Sequence, residues 1–293
     1  MRINQNIAAI NAWRNLGMTD RAMGKTMEKL SSGLRINRAA DDAAGLAISE
    51  RMRSQVNGLD RAVANAQDGI SLIQTAEGAL DETHAALHRV RELTIQAGNE
   101  VNEGGDVSKI QDEVEQLLAE IERIANTTEF NTKNLLDTDD NTITLQIGAN
   151  EGQTMQISLQ AMGQAALGVD ADDNGTIDEA IAGIDLTAAE HGPDGDPALL
   201  DSFEGTIQVL DAAIDQVSSF RSELGSYQNR LEHTINNLEV ASENLTAAES
   251  RIRDADMAAE MMAMTRHQIM TQAGTAMLAQ ANMRPQSVLQ LLG

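Results

Sequence analysis

Aliphatic residues recur at a spacing of seven along the C-terminal third of the chain. Leu210, Val217, Leu224, Leu231, Leu238, Leu245 and Ile252 keep that spacing unbroken. Ile214 and Ile235 fill the alternate position, which Arg221, Gln228, Ser242 and Glu249 leave polar. A period of seven returns to the same helix face every two turns, so the stripe predicts one long helix whose seam packs on another helix. At about 1.5 Å per residue this helix runs roughly 75 Å. Asp196-Pro197 or Asp201-Ser202 supplies its start, through a capping side chain or a proline in the first turn. The N-terminal half carries a partner: Met52, Leu59, Ala66, Ile73, Leu80 and Leu87, with Val56, Val63 and Ile70 at the offset of four. A third stripe uses Val107, Ile110, Val114, Leu117, Ile121 and Ile124, and Asn99 to Asp106, with Gly104-Gly105, reads as the turn before it. Stripes of one period must bury their faces against each other. The fold class is therefore mainly α, a long antiparallel helical rod or coiled-coil bundle.

Two stretches break this period. Thr142 to Ile147 and Thr154 to Leu159 alternate apolar and polar residues around Gly148 to Gly152, which predicts a β-hairpin near 142–159. Residues 168–200 are rich in Gly, Asp and Pro and read as a short acidic loop or small excursion. The chain ends are different again. Ile3, Ile7 and Ile10 form a short apolar stripe, followed by Met23, Met27, Leu30 and Leu34. The last segment carries Met257, Met261, Met264, Ile269, Met270, Met277, Leu278, Val288, Leu289, Leu291 and Leu292. Amphipathic helices with so few bulky anchors seldom persist without a partner, and methionine suits a surface that repacks between environments.

Composition sharpens this picture. Three Phe, one Tyr and one Trp among 293 residues leave the core to aliphatic side chains and fourteen Met, as suits helices packed closely side by side. The chain has no cysteine, which excludes disulfides and Cys-based zinc sites. No run of apolar residues reaches the length of a membrane span, and the polar start lacks the apolar stretch of a cleavable signal peptide. The net charge of −24 is unevenly spread. Residues 1–100 hold twelve acids and twelve bases, whereas residues 101–215 hold twenty-five acids and three bases. Nucleic acid and anionic membranes are poor partners for such a chain. Neutral ends and an acidic middle suggest that the ends associate while the middle faces water.

Candidate chemistry is sparse. His84 and His88 stand one helical turn apart, but the intervening residues lack the glutamate of a zinc-protease helix, so they read as surface histidines. Asp170, Asp172, Asn174 and Asp178, with Gly175 at the sixth position, resemble a calcium loop. Its twelfth position holds Ile181 where a bidentate glutamate is expected, which favours an acidic turn over a weak calcium site. Asp41 and Asp42 lie beside Arg35 and Arg38 and read as a cap or ion pair, not as a catalytic dyad. No cofactor motif and no catalytic constellation is present, so an enzyme is not expected. A sensor coiled coil, which heptads alone permit, would need a membrane span or ligand domain.

Several long motifs in fixed order resemble the bacterial flagellins. Leu30-Ser-Ser-Gly-Leu-Arg-Ile-Asn-Arg-Ala-Ala-Asp-Asp-Ala-Ala-Gly-Leu-Ala-Ile48 is similar to their N-terminal signature. Asn65 to Gly78, Arg89 to Leu93, Glu129 to Leu135 and Gln146 to Asn150 follow in the family's order, and Ala241 to Asp256 and Ala281 to Leu289 resemble its C-terminal half. The resemblance covers roughly 1–160 and 205–293. The junction protein between hook and filament shares the N-terminal signature, and the Gln146–Asn150 and C-terminal motifs favour flagellin proper.

The resemblance implies a subunit that self-assembles into the flagellar filament, the propeller of swimming motility, with termini that fold on assembly. Residues 1–40 and 258–293 would form the inner coiled-coil domain, where Ile3, Ile7, Ile10, Met277, Leu278, Val288, Leu289 and Leu292 pack the filament core. Residues 41–167 and 201–257 would form the rod domain, its core built on Val217, Leu224, Leu231, Leu238, Leu245 and Ile252. Residues 168–200 would stand in place of the outer domains of larger relatives. The resemblance also implies secretion through the flagellar export channel to an extracellular or periplasmic filament. Implied partners are other copies of the chain, an export chaperone, the filament cap and hook-junction proteins. In flagellins that bind Toll-like receptor 5, the matching contact positions here are Arg89, Leu93 and Glu113.

Overall fold

A computed structural model describes residues 6–99, 104–137, 141–169, 179–186 and 203–292. Five helices carry most of them: α1 (Ile7–Ser32), α2 (Ala43–Ala97), α3 (Gly104–Thr127), α4 (Phe203–Arg253) and α5 (Met257–Leu292). Six short strands pair antiparallel in twos: β1 (Glu129–Phe130) with β2 (Lys133–Asn134), β3 (Asn141–Gln146) with β4 (Thr154–Leu159), and β5 (Gly168–Val169) with β6 (Glu179–Ala180). The chain divides into two compact units, residues 1–57 with 241–293, and residues 58–240.

Residues 58–240 hold the large core. Ala66, Ile73, Leu80 and Leu87 of α2, Ile110, Val114 and Ile121 of α3, and Leu210, Val217, Leu224 and Leu231 of α4 are buried in one cluster. Each buried aliphatic side chain of this kind contributes about 1.5–3 kcal/mol relative to an exposed one. The ion pairs Arg91–Asp211 (2.6 Å) and Arg221–Asp81 (3.1 Å) tie α2 to α4 at the surface. Exposed pairs add at most about 1 kcal/mol each, so apolar burial dominates. Leu238, near the end of this unit, is still buried, and beyond it the α4 stripe continues less deeply, with Leu245 and Ile252 half-buried.

The hairpin closes one side of this core. Ile143 faces Ile157 and Leu145 faces Met155 across β3 and β4, and Met155, Ile157 and Leu159 point inward. Glycine in α2 lets it approach: a Cβ on Gly58 would lie 2.8 Å from the Ala149 Cβ and 3.2 Å from its Cα. Asn65 Nδ2 donates to the Gln146 carbonyl at 3.0 Å, and the Gln146 amide donates to the carbonyls of Gly148 and Asn150, which shapes the turn.

Two details depart from the sequence-based expectations, and a third lies outside what is described. Gly104, Gly105 and Asp106 belong to α3 and not to the turn before it. Glycine costs least at a helix start, where little backbone bonding is lost, and Asp106 favours the positive end of the helix dipole. The segment read as an acidic loop contributes to the core: after β6, a single 3-10 turn (Ile181–Gly183) buries Ile181, and Ile184 and Leu186 follow. The buried Gln111 side chain anchors this segment, donating to the Ile184 carbonyl (3.1 Å) and accepting from the Leu186 amide (3.0 Å). Of the two proposed starts for α4, Asp196-Pro197 and Asp201-Ser202 both lie outside the described residues, and helix is present from Phe203.

Residues 1–57 with 241–293 have a thinner interior. α1 and α5 run antiparallel, as Asn6 Nδ2 to the Ala281 carbonyl (2.8 Å), Thr271 Oγ1 to Asp20 (3.4 Å) and Lys29 to Glu260 (3.4 Å) record. α1 stops at Gly33, whose φ of 72° is left-handed and favours glycine.

Candidate assembly surface

The links on either side of the α1–α5 pair are held by polar contacts. Arg35 donates its backbone N–H to the Arg253 carbonyl (2.6 Å) and its guanidinium to the Ile252 carbonyl, beside a β-bridge between Leu34 and Asp254. Arg253 pairs with Glu50 at 2.6 Å, and Arg53 with Glu249. Asp42 caps α2 by accepting from the Gly45 amide at 2.9 Å, and Asp256 caps α5 by accepting from the Ala258 and Ala259 amides. Asp41 accepts from the Arg38 backbone N–H at 3.1 Å. That bond, chiefly, holds the Asp41 carboxyl below its ordinary pKa; the Asn37 N–H and Lys25 help, against the effect of burial. Both aspartates are thus structural groups at the chain junction.

Beyond the junction, α1 and α5 bury very little. The buried residues of α1 are Thr19 and Thr26, each donating its hydroxyl to the carbonyl four residues earlier. α5 has no buried side chain among residues 257–283, the part whose side chains are described. Apolar residues instead face outward: Ile7, Ile10 and Trp13 on α1, with Trp13 69% exposed, and Met262, Ile269, Met277 and Met283 on α5. Met261, Met262, Thr265, Arg266, Ile269 and Met270 line an open, mostly apolar groove. Gly274 brings the helices together, since a Cβ there would sit 3.2 Å from Leu16. Of the residues expected to pack a filament core, Ile7, Ile10 and Met277 are exposed and Leu278 is half-buried. Ile3 lies outside the described residues, and Val288, Leu289 and Leu292 lie in α5 at positions whose side chains are not described.

The other sequence candidates separate clearly. Arg89 donates to Glu113 through Nε (3.1 Å) and Nη2 (2.9 Å) and pairs with Glu92 at 3.3 Å, so α2 and α3 are bridged at a half-exposed site. These acidic partners, Glu113 first, raise the Arg89 pKa and keep it charged. Leu93 does not share that surface: it is 2% exposed and belongs to the core. One helical turn brings residues four apart to the same side, yet Leu93 joins the buried cluster that α2 shares with α3 and α4. His84 and His88 meet edge to face with ring centroids 4.5 Å apart. Burial, then the charges of His88 and Arg221, lower the His84 pKa against the opposing pull of Asp81. The calcium candidate, residues 170–178, lies outside the described residues, and no group of three or more metal-ligating side chains occurs among those described.

Sequence reasoning missed the polar clamps of the second unit. Gln216 both donates to and accepts from the backbone of Gly168, Glu122 accepts from the Gln164 amide, and Glu223 accepts from Tyr227 and Ser158. Single polar residues carry no period, so no pattern in one sequence marks them.

A chain with one well-filled helical core and two paired terminal helices turned apolar side out is a self-associating helical subunit. Comparison with known proteins gives that class a family. Residues 3–141 match the bacterial flagellin N-terminal helical region, and residues 207–292 match the C-terminal helical region. Over the full length of both chains, the sequence is 53% identical to a flagellin of Bacillus subtilis and 54% identical to one of Halalkalibacterium halodurans. It is 50% identical, again over both full lengths, to a flagellar filament 33 kDa core protein of Treponema phagedenis. The chain belongs to the bacterial flagellin family. It is a structural subunit that polymerises into the flagellar filament, and not an enzyme. Its place is accordingly an extracellular or periplasmic flagellum, and no helix among the described residues is long and apolar enough to cross a membrane.

Proposed function

We propose that α1 and α5 are the elements through which one copy binds the next, and that they acquire their order from that contact. The observation that carries this is the contrast within the chain. Residues 58–240 have a filled core, whereas α5 buries no described side chain and α1 buries only two threonines. Helices with so little burial gain their stability from tertiary packing or not at all. Their outward isoleucines and methionines supply what neighbouring copies would cover. On this reading residues 1–40 and 258–293 form the inner domain of the filament, bounded by the non-helical links at 33–42 and 254–256. Residues 41–167 with 201–257 form the rod domain, to which the buried Ile181, Ile184 and Leu186 also belong. Hydrogen exchange on monomer and filament tests the proposal. Amides of Ala8 to Leu16 should exchange freely in the monomer and be protected in the filament; strong protection in the monomer overturns it.

Before assembly the same surface needs cover. A flagellar export chaperone suits the apolar α5 groove, and passage through the flagellum's own export channel suits a chain whose ends are loosely held. The filament cap and the hook-junction proteins would meet these elements at the two ends of the polymer. These partners are supported by membership of the family and by the exposed apolar faces of α1 and α5.

A second reading concerns innate immunity. The half-exposed Arg89–Glu113 pair favours it, as a positioned arginine is a common interface hot spot. We propose contact with Toll-like receptor 5 through Arg89 and Glu113, with Leu93 supporting the helix from the core. A receptor reporter assay should find monomer active, filament inactive, and Arg89→Ala weaker by about tenfold. An inactive monomer or an undiminished Arg89→Ala variant leaves these residues a packing role alone.

A further inference from the structure

Sulfur in this chain is confined to methionine, and its exposure is sharply divided. Every exposed methionine among the described side chains lies on α1 or α5. Six are on α5, Met257, Met261, Met262, Met270, Met277 and Met283, with Met262 the most open at 66%. Two are on α1, Met18 and Met27. The methionines inside the second unit are closed to solvent, with Met155 at 4% and Met162 at 3%. With no cysteine in the chain, no thiol competes for an oxidant. Peroxides also oxidise a thioether well before the indole of Trp13.

We infer that the methionines of α5, with Met18 and Met27 of α1, form a reversible oxidation site that controls whether the subunit can polymerise. This rests on the proposed reading that these helices are the surfaces covered on assembly. The oxidant is a peroxide. One oxygen atom passes to the thioether sulfur, the O–O bond breaks, an S–O bond forms, and water or an alcohol leaves; sulfur loses two electrons and the peroxide gains them. The product is a chiral, strongly accepting sulfoxide, and a thiol-dependent methionine sulfoxide reductase can reverse it. Met261, Met262 and Met270 converge on the α5 groove, so sulfoxides there place unpartnered acceptors where an apolar contact must form. A side chain that adapts to two environments when reduced loses that adaptability when oxidised. The vulnerability belongs to the free subunit, because a polymer that covers these faces also shields their sulfurs.

The test treats purified full-length monomer with dilute hydrogen peroxide and maps sulfoxides by peptide mass spectrometry. Elongation from sheared filaments of the same protein is then followed by light scattering. Untreated monomer should elongate. Treated monomer should carry sulfoxide on α5, spare Met155 and Met162, and elongate at least about tenfold more slowly, and reductase with a thiol should restore the rate. In a variant with leucine at the six α5 positions and at Met18 and Met27, peroxide should leave the elongation rate unchanged from that of the same untreated variant. If that variant does not assemble, the reductase arm still decides. Oxidised monomer that elongates at the untreated rate, or slowed monomer that reductase fully reduces without recovery, overturns the inference. Failure of untreated monomer to elongate overturns the assembly reading itself, and this inference with it.

Discussion

Leu231 and Leu245 occupy equivalent positions of one heptad stripe, yet Leu231 is fully buried and Leu245 only half-buried. Leu231→Ala should therefore cost about 2–5 kcal/mol of unfolding free energy, and Leu245→Ala distinctly less. Urea unfolding of both variants checks this, and equal costs would contradict the burial difference. The seam was readable in the sequence because heptad spacing repeats often enough to stand out. The depth of each residue in the seam was not, because it depends on what else packs there. Leu93 is the clearest case: the family resemblance named it beside Arg89 as a contact position, and packing of α2 against the other helices put it in the core. His84 gives a prediction in pH. Its pKa is lowered in the folded state by burial, then by His88 and Arg221, so below its ordinary value of 6.5 the unfolded chain binds the proton more readily. This site's contribution to stability is complete above that value, falls as pH drops through it, and levels off below the folded value. His84→Gln should flatten this part of the dependence between about pH 7.5 and 5.5, read as the change in Tm. A dependence as steep in the variant as in the parent would exclude His84 as its source.

At the scale of elements, the hairpin shows how close packing limits substitution. Alanine or valine at Gly58 would favour α2 by about 1 kcal/mol or less through helix propensity. Yet the new Cβ would press on the backbone of Ala149 at 3.2 Å, which cannot swing away as a side-chain end can. Gly58→Val should therefore loosen β3 and β4 while leaving the helices formed. Faster amide exchange at Ile143 and Ile157 with unchanged far-ultraviolet circular dichroism would bear this out, and unchanged exchange would contradict it. The hairpin was legible because alternation over six residues is a strong signal, as were α2, α3 and α4. The pairs β1–β2 and β5–β6 were not, since two residues show no alternation. Neither was the burial of Ile181, Ile184 and Leu186, which follow an acidic, glycine-containing stretch. There the chain is held by Gln111, whose contacts depend on tertiary structure alone.

At the scale of the whole chain, charge and apolar exposure are distributed in complementary ways. The acidic excess falls in residues 101–215, while the exposed methionines and isoleucines concentrate in the near-neutral terminal helices. On the proposed reading, such a chain would attract itself through its ends and be kept soluble by its middle, the division of labour a polymer subunit needs. The acid-rich segment would also oppose stacking at low salt, an effect screened within about 8 Å at physiological ionic strength. Membership of the family was legible from the motifs around Leu30 to Ile48 and Ala241 to Asp256, and the helices that bear them meet where Arg35 and Arg253 bond. The central claim is that the terminal helices make the filament. Electron microscopy of purified protein after seeding tests it most directly, comparing the full chain with one lacking Asn282 to Gly293. The account predicts long filaments from the full chain, and none from the truncated chain although residues 58–240 stay folded by circular dichroism. Filaments from the truncated chain, or none from the full one, would contradict it.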